Sequence, residues 1–142
     1  MKKIFKAVLL LFLISALLFS VFFIDVVYRR FAFENWNPCI QKNTKWASED
    51  DSIVFTVGDA GATGKMSVDD SEIEFYMITD MGGNIELHQI EVSETKAIYY
   101  EKRYEFWECS YKSKNKFVAT VKETTFLKEG EKITFNKVSD NT

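Results

Sequence analysis

The chain is poor in the residues that build most small sites. It has one histidine (His88), one proline (Pro38), two cysteines and six glycines in 142 residues. A single histidine excludes a histidine-rich metal centre and leaves Cys109 with His88 as the one triad-like pairing. These two stand on separate expected strands, with nothing in the sequence to bring them together. Pro38 lies ahead of the strand-rich region, so no strand is demoted by a proline. Basic charge is scarce too. Residues 36–142 carry 19 acids against 13 bases, net −6, which argues against a nucleic-acid partner.

One long apolar run is present. Ala7 to Ile24, "AVLLLFLISALLFSVFFI", is 18 residues without a charge. At about 1.5 Å rise per residue it spans ~27 Å, close to the hydrocarbon core of a bilayer. Lys2, Lys3 and Lys6 precede it, whereas Asp25, Arg29, Arg30 and Glu34 nearly cancel beyond it. The lysine-rich side is therefore expected in the cytoplasm and the rest of the chain outside. A cleaved signal peptide is the alternative, leading to secretion. The run exceeds the usual apolar h-region of a signal peptide, and no small-x-small cleavage site follows it. The expected organisation is a cytoplasmic stretch 1–6, a transmembrane signal-anchor helix 7–27, a juxtamembrane linker 28–43, a β domain 44–139 and a tail 140–142. Tyr28, Phe31, Phe33 and Trp36 suit an aromatic belt at the membrane surface.

From Thr44 on, the hydrophobic period is two. "SIVFTV" puts Ile53, Phe55 and Val57 on one face, and "EIEFYMIT" does so for Ile73, Phe75 and Met77. "NIELHQIEV", "YEFWECSYK", "KFVATVKE" and "KITFNKV" alternate likewise, with weaker strands over 64–69 and 96–101. Such alternation marks strands with one buried and one wet face. The breaks, among them "SEDDS", "DMGGN" and "KEGEK", are turn-like and short, which favours an antiparallel meander. No convincing helix follows the apolar run. About eight strands in up-and-down order remove their edges by closing, so the expectation is all-β: a small ~8-stranded barrel preceded by one transmembrane helix. A sandwich is the alternative.

The segments "TKWASEDDSIVFTV", "GKMSVDDSEIEFYMI", "CSYKSKNKFVATVKE" and "EKITFNKV" together resemble small lipocalin-like (calycin-type) β-barrel domains of membrane-anchored exported bacterial proteins. The resemblance covers most of residues 44–138. Thr44 stands two residues before Trp46, where the lipocalin pattern has glycine. The resemblance implies a barrel anchored by an amino-terminal helix or a lipid, with no assigned activity.

Candidate chemistry is sparse. "VGDAGATGK" suggests a phosphate-binding loop, but Asp59 stands where the first glycine of that motif belongs, and Met66 where its hydroxyl belongs. Read instead as a loop between strands, it makes Gly58, Gly61 and Gly64 candidates for a mobile barrel mouth. A calcium loop from Asp59 to Asp70 lacks carboxylates at Gly61 and Thr63. The acidic runs Glu49-Asp50-Asp51 and Asp69-Asp70 read as solvated turns. No metal site and no cofactor are expected. Glu105, Trp107 and Tyr111 share a strand face with Cys109. If that face points inward, they are ligand-facing, with Glu105 at a barrel rim or buried. Cys39 and Cys109 either pair or remain separate thiols. A bridge closing about 70 residues contributes ~4 kcal/mol in the chain-entropy model.

The charge is uneven: residues 43–94 carry net −10 and residues 95–139 net +4. The expected function is a non-catalytic binding or accessory module for a protein partner or a small apolar ligand. The alternatives are an inhibitor or immunity-type protein of an exported enzyme, and an envelope hydrolase using strand carboxylates such as Glu105.

Overall fold

The structure, a computed structural model, describes residues 2–92, 98–99 and 103–138. Helix α1 spans Lys2–Trp36 and is followed by a short 3-10 turn, Pro38–Ile40. Strands β1 (Thr44–Ser48), β2 (Ile53–Gly58), β3 (Gly61–Val68), β4 (Ser71–Thr79) and β5 (Ile85–Gln89) then run up and down. A two-residue pair, β6 (Glu91–Val92) and β7 (Ile98–Tyr99), forms a small separate sheet. Strands β8 (Arg103–Ser113), β9 (Lys116–Thr124) and β10 (Lys132–Val138) complete the set. The order β1-β10-β9-β8-β5-β4-β3-β2 closes an eight-stranded antiparallel barrel. Of the weaker strand expected over 96–101, only Ile98 and Tyr99 fall within the described residues, as does none of the tail 140–142.

Period two explains the wall. On β2, Ile53, Phe55 and Val57 are buried while Thr56 and Gly58 are exposed. On β8, Glu105, Trp107 and Tyr111 are buried while Glu108, Ser110 and Lys112 are exposed. A barrel of this size is filled by its own inward side chains. Here Phe117 and Phe135 stack at 4.8 Å, and Trp107 lies on Phe135 at 5.6 Å. Trp46 meets Phe117 at 5.6 Å, and Phe55 meets Phe135 at 5.8 Å. The Trp46 indole N–H is satisfied by the Thr44 hydroxyl at 2.9 Å.

Gly58 and Gly61 flank the expected loop between strands, whereas Gly64 lies beyond it within β3. Gly58 and Gly61 pair across a two-residue hairpin turn, and Gly61 takes φ +125. Gly64 lies inside β3, between its partners Phe55 and Phe75. A Cβ there would sit 2.6 Å from Phe75 Cζ and 2.6 Å from Phe55 Cβ. Glycine at this position lets the Phe75 ring fold over the strand, which is one recognised reason for glycine within a sheet. A strand also stands where a phosphate loop would open a helix.

The helix does not stop at the end of its apolar run. It continues through residues 28–36 and lies against β8. β8 outruns its neighbour: Ile85, the first residue of β5, pairs with Trp107, so residues 108–113 have no β5 partner. The last turns of α1 cover that gap. Ala32 is buried, and Phe33 and Trp36 pack on the core cluster. Gly83 is pinched between Phe33 and Tyr111, each within about 3.2 Å of where its Cβ would be. Gln41 then ties the helix end to the β8–β9 hairpin by donating to Trp36 O at 3.2 Å and Lys114 O at 3.1 Å.

Gly64→Ala is expected to lower stability by about 1–3 kcal/mol through overpacking against the Val54 carbonyl, Phe55 and Phe75. Gly58→Ala, which meets nothing closer than 3.9 Å, is expected to be close to neutral. Urea denaturation of the detergent-solubilised chain compares the two, and equal midpoints would refute this packing.

Candidate functional site

The inner face of β8 carries the residues singled out from sequence. Glu105, Trp107 and Tyr111 all point into the barrel and are buried. Glu105 lies near one end of the barrel, yet the segment after β9 covers it. Its Oε1 accepts three hydrogen bonds, from Thr124 Oγ1 at 3.0 Å, Thr125 N at 3.0 Å and Phe126 N at 2.9 Å. Thr124 in turn caps the same turn, accepting from Leu127 N, with its single hydroxyl proton shared between Glu105 Oε1 and Leu127 O. A buried carboxylate holding three donors fixes a loop. Tyr111 donates to Gly83 O, locking the β4–β5 turn from inside. Trp107 is held by Phe135. Among the described residues, Glu105 Oε2, Trp107 Nε1 and Thr79 Oγ1 are buried without a hydrogen-bond partner.

His88 lies on the other side of the wall. It pairs in register with Arg103 while its neighbour Leu87 pairs with Glu105, so His88 and Glu105 face opposite ways. Outside, His88 Nε2 meets Glu86 Oε2 at 2.9 Å, and Arg103 joins Glu86 at 3.3 Å. Arg103 also pairs with Glu123 and lies over the Phe106 ring at 5.4 Å. The side chain of His88 is mostly covered, at 15% exposure. The charged cluster around it takes up the area that open water would otherwise occupy. Cys109 points inward on the far half of β8, so a Cys109–His88 nucleophile is not assembled.

The cysteines come to one barrel end. Both are free thiols, partly buried against the core. Burial pushes the Cys39 thiol up to about 11, with the Thr79 hydroxyl beside it pulling the value partly back. That hydroxyl sits close but does not make a well-formed hydrogen bond. Burial likewise pushes the Cys109 thiol well above the ordinary range, and the neighbouring Cys39 adds to the rise. Thiols held neutral in this way are poor nucleophiles at neutral pH.

Several recesses mark the outer surface of the described residues. One, about 460 Å³, lies between α1 and the outer wall. Tyr28, Arg29 and Phe33 line it from the helix, and Glu108, Lys122 and Lys132 from the strands. Lys122 pairs with Glu108 at 2.9 Å, and Lys122 followed by Arg29 holds the Glu108 carboxyl below its usual range. Another, about 380 Å³, runs over Thr56, Thr63, Gly64 and Lys65. No cluster of three or more potential metal ligands occurs among the described residues. The turn carboxylate Asp50 is spent locally, accepting from Ser48 and Ser52 hydroxyls at 2.6 and 2.8 Å.

The chain matches no protein-family model, no curated protein and no solved structure. Sequence reasoning missed the cover over Glu105. Its signal was the pair Thr124-Thr125 ahead of Phe126-Leu127, two hydroxyl residues before two apolar ones that fold inward.

Glu105→Ala strands the Thr125 and Phe126 N–H groups and is expected to cost about 2–4 kcal/mol. Glu105→Gln keeps one acceptor oxygen and is expected to cost about 1 kcal/mol. Thermal unfolding of both variants tests this, and an alanine variant as stable as the parent would remove the structural role.

Proposed function

We propose that the chain is a non-catalytic accessory module, held at a membrane by α1, that presents a lipocalin-like barrel outside the cytoplasm to a protein partner. One observation carries the reading: the barrel centre is occupied by its own rings, Trp46, Phe55, Trp107, Phe117 and Phe135, all buried. A carrier of a small apolar ligand needs open apolar volume there. With the interior taken up by side chains, binding falls to the outer surface and its turns. The polar groups that the inner face offers also serve the fold, since Glu105 holds three donors and Tyr111 one acceptor. That favours a binding module over a hydrolase built on Glu105.

Anchoring is supported by the continuity of α1. The helix contains one stretch long and apolar enough to cross a membrane, and it enters the barrel wall without a break. A cleaved signal segment carries a small-residue cleavage site, and the end of this apolar run does not. The lysines before the apolar run favour a cytoplasmic amino terminus.

The narrower reading is an inhibitor or immunity-type protein that caps an exported enzyme. Charge separation along the chain favours it. Acidic turns at Asp50-Asp51 and Asp69-Asp70 follow β1 and β3, and Lys112 and Lys114 belong to the β8–β9 hairpin, while Lys116 and Glu49 meet where the two sets adjoin, at 3.7 Å. Such a field steers a complementary protein into register.

Met81, 98% exposed at the β4–β5 turn, reports the topology. In a Cys39→Ser, Cys109→Ser background, Met81→Cys is expected to react with a membrane-impermeant maleimide on intact cells. Labelling only after lysis would refute the outward placement. Native mass spectrometry of the full chain from detergent is expected to show the bare chain or a protein complex. A small molecule retained one-to-one would replace this reading with a ligand carrier.

A further inference from the structure

The proposed function leaves the two thiols unused, although the fold brings them together. Cys39 sits in the 3-10 turn that closes one end of the barrel, where that turn touches β2 and β4. Its sulfur lies beside Thr79, the last residue of β4. Thr79 pairs in register with Ile85, the first residue of β5. Ile85 pairs with Trp107, and its backbone reaches the Cys109 thiol two residues further along β8. Cys109 also bonds back to Trp107 O at 3.6 Å, which holds its sulfur on the inner side of the wall. Both sulfurs pack on the same core cluster. They are near enough that charge on Cys39 opposes ionisation of Cys109.

The geometry points to an intramolecular disulfide between Cys39 and Cys109, formed by exchange with a small or protein disulfide donor, that staples the end of the anchor helix to the barrel wall. Cys109 borders the cavity between α1 and the barrel and Cys39 does not, so exchange is assigned to start at Cys109. Its thiolate attacks one sulfur of the donor R–S–S–R and expels R–S⁻, leaving a mixed disulfide on Cys109. The Cys39 thiolate then attacks the Cys109 sulfur and expels the second R–S⁻. The two protons released by the cysteines end on the two R–SH products. The cysteines are oxidised by two electrons and the donor disulfide is reduced.

The place of the staple gives it a function. It crosses the gap that β8 leaves beyond β5, the same gap that Ala32 and Phe33 cover. It would therefore hold helix and barrel as one body in an oxidising compartment and release them to packing alone in a reducing one. The inference does not depend on which partner the outer surface meets, and its test needs no partner.

The full chain in detergent micelles is incubated with oxidised glutathione, acid-quenched, unfolded, alkylated and weighed. The expected product has lost the mass of two hydrogens, takes up no alkylating agent and yields one linked peptide containing Cys39 and Cys109. Because both thiols are held protonated, formation is expected to run roughly tenfold faster per pH unit between about pH 7 and 9. Cys39→Ser is expected to stop at a stable glutathione adduct on Cys109. Separate glutathione adducts on both cysteines of the parent chain, disulfides between chains, or two thiols still alkylated after prolonged oxidation would each overturn the proposal.

Discussion

The contact on which the structure depends is the one between the last turns of α1 and the half of β8 that β5 does not reach. A barrel removes its edges only if every strand finds a neighbour on both sides. β5 is five residues long and β8 eleven, so the seam between them is half open. Ala32, Phe33 and Trp36 close it with side chains in place of a strand. The same turns pin Gly83 and Tyr111, and through Tyr111 they reach the ring stack at Phe117, 6.0 Å away. A segment that begins as an apolar run thus ends as part of a soluble core.

That arrangement sets what the molecule can do. If α1 is anchored, the barrel does not swing on a tether. Its direction follows the helix, and the turns at its ends keep fixed positions relative to the membrane. A filled interior fits the same picture. The stacked rings of Phe117, Phe135 and Trp107 contribute rigidity, while Glu105 and Tyr111 spend their polar groups on the 124–127 segment and the β4–β5 turn. What remains outward is the charged turns, the His88–Glu86–Arg103 cluster and the recess beside α1.

The barrel was legible in the sequence because its strands obey period two and its turns are short. "SIVFTV", "EIEFYMIT" and "KITFNKV" became β2, β4 and β10 within a residue or two. The helix beyond Asp25 was not legible in the same way. Tyr28, Phe31, Phe33 and Trp36 suit a membrane surface, a linker or a docked helix equally, and only the length mismatch between β5 and β8 decides among them. Strand lengths of that kind depend on register, which composition does not encode. Gly64 carried two readings, a loop glycine and the start of a weaker strand over 64–69, and the strand is the one found: the Val54 carbonyl and the Phe55 and Phe75 side chains leave no room there for a Cβ. Glu105 was correctly placed on the Trp107 face, but its partners come from a loop some twenty residues away.

Amide hydrogen exchange on an Ala32→Glu chain in micelles tests the central claim most directly. A carboxylate buried at the seam without a partner is strongly disfavoured. If α1 closes the barrel, protection is lost over residues 108–113 and at the β4–β5 turn, while β2 and β3 on the opposite wall keep theirs. Unchanged protection at 108–113 would mean that the barrel closes without the helix, and the account would fail.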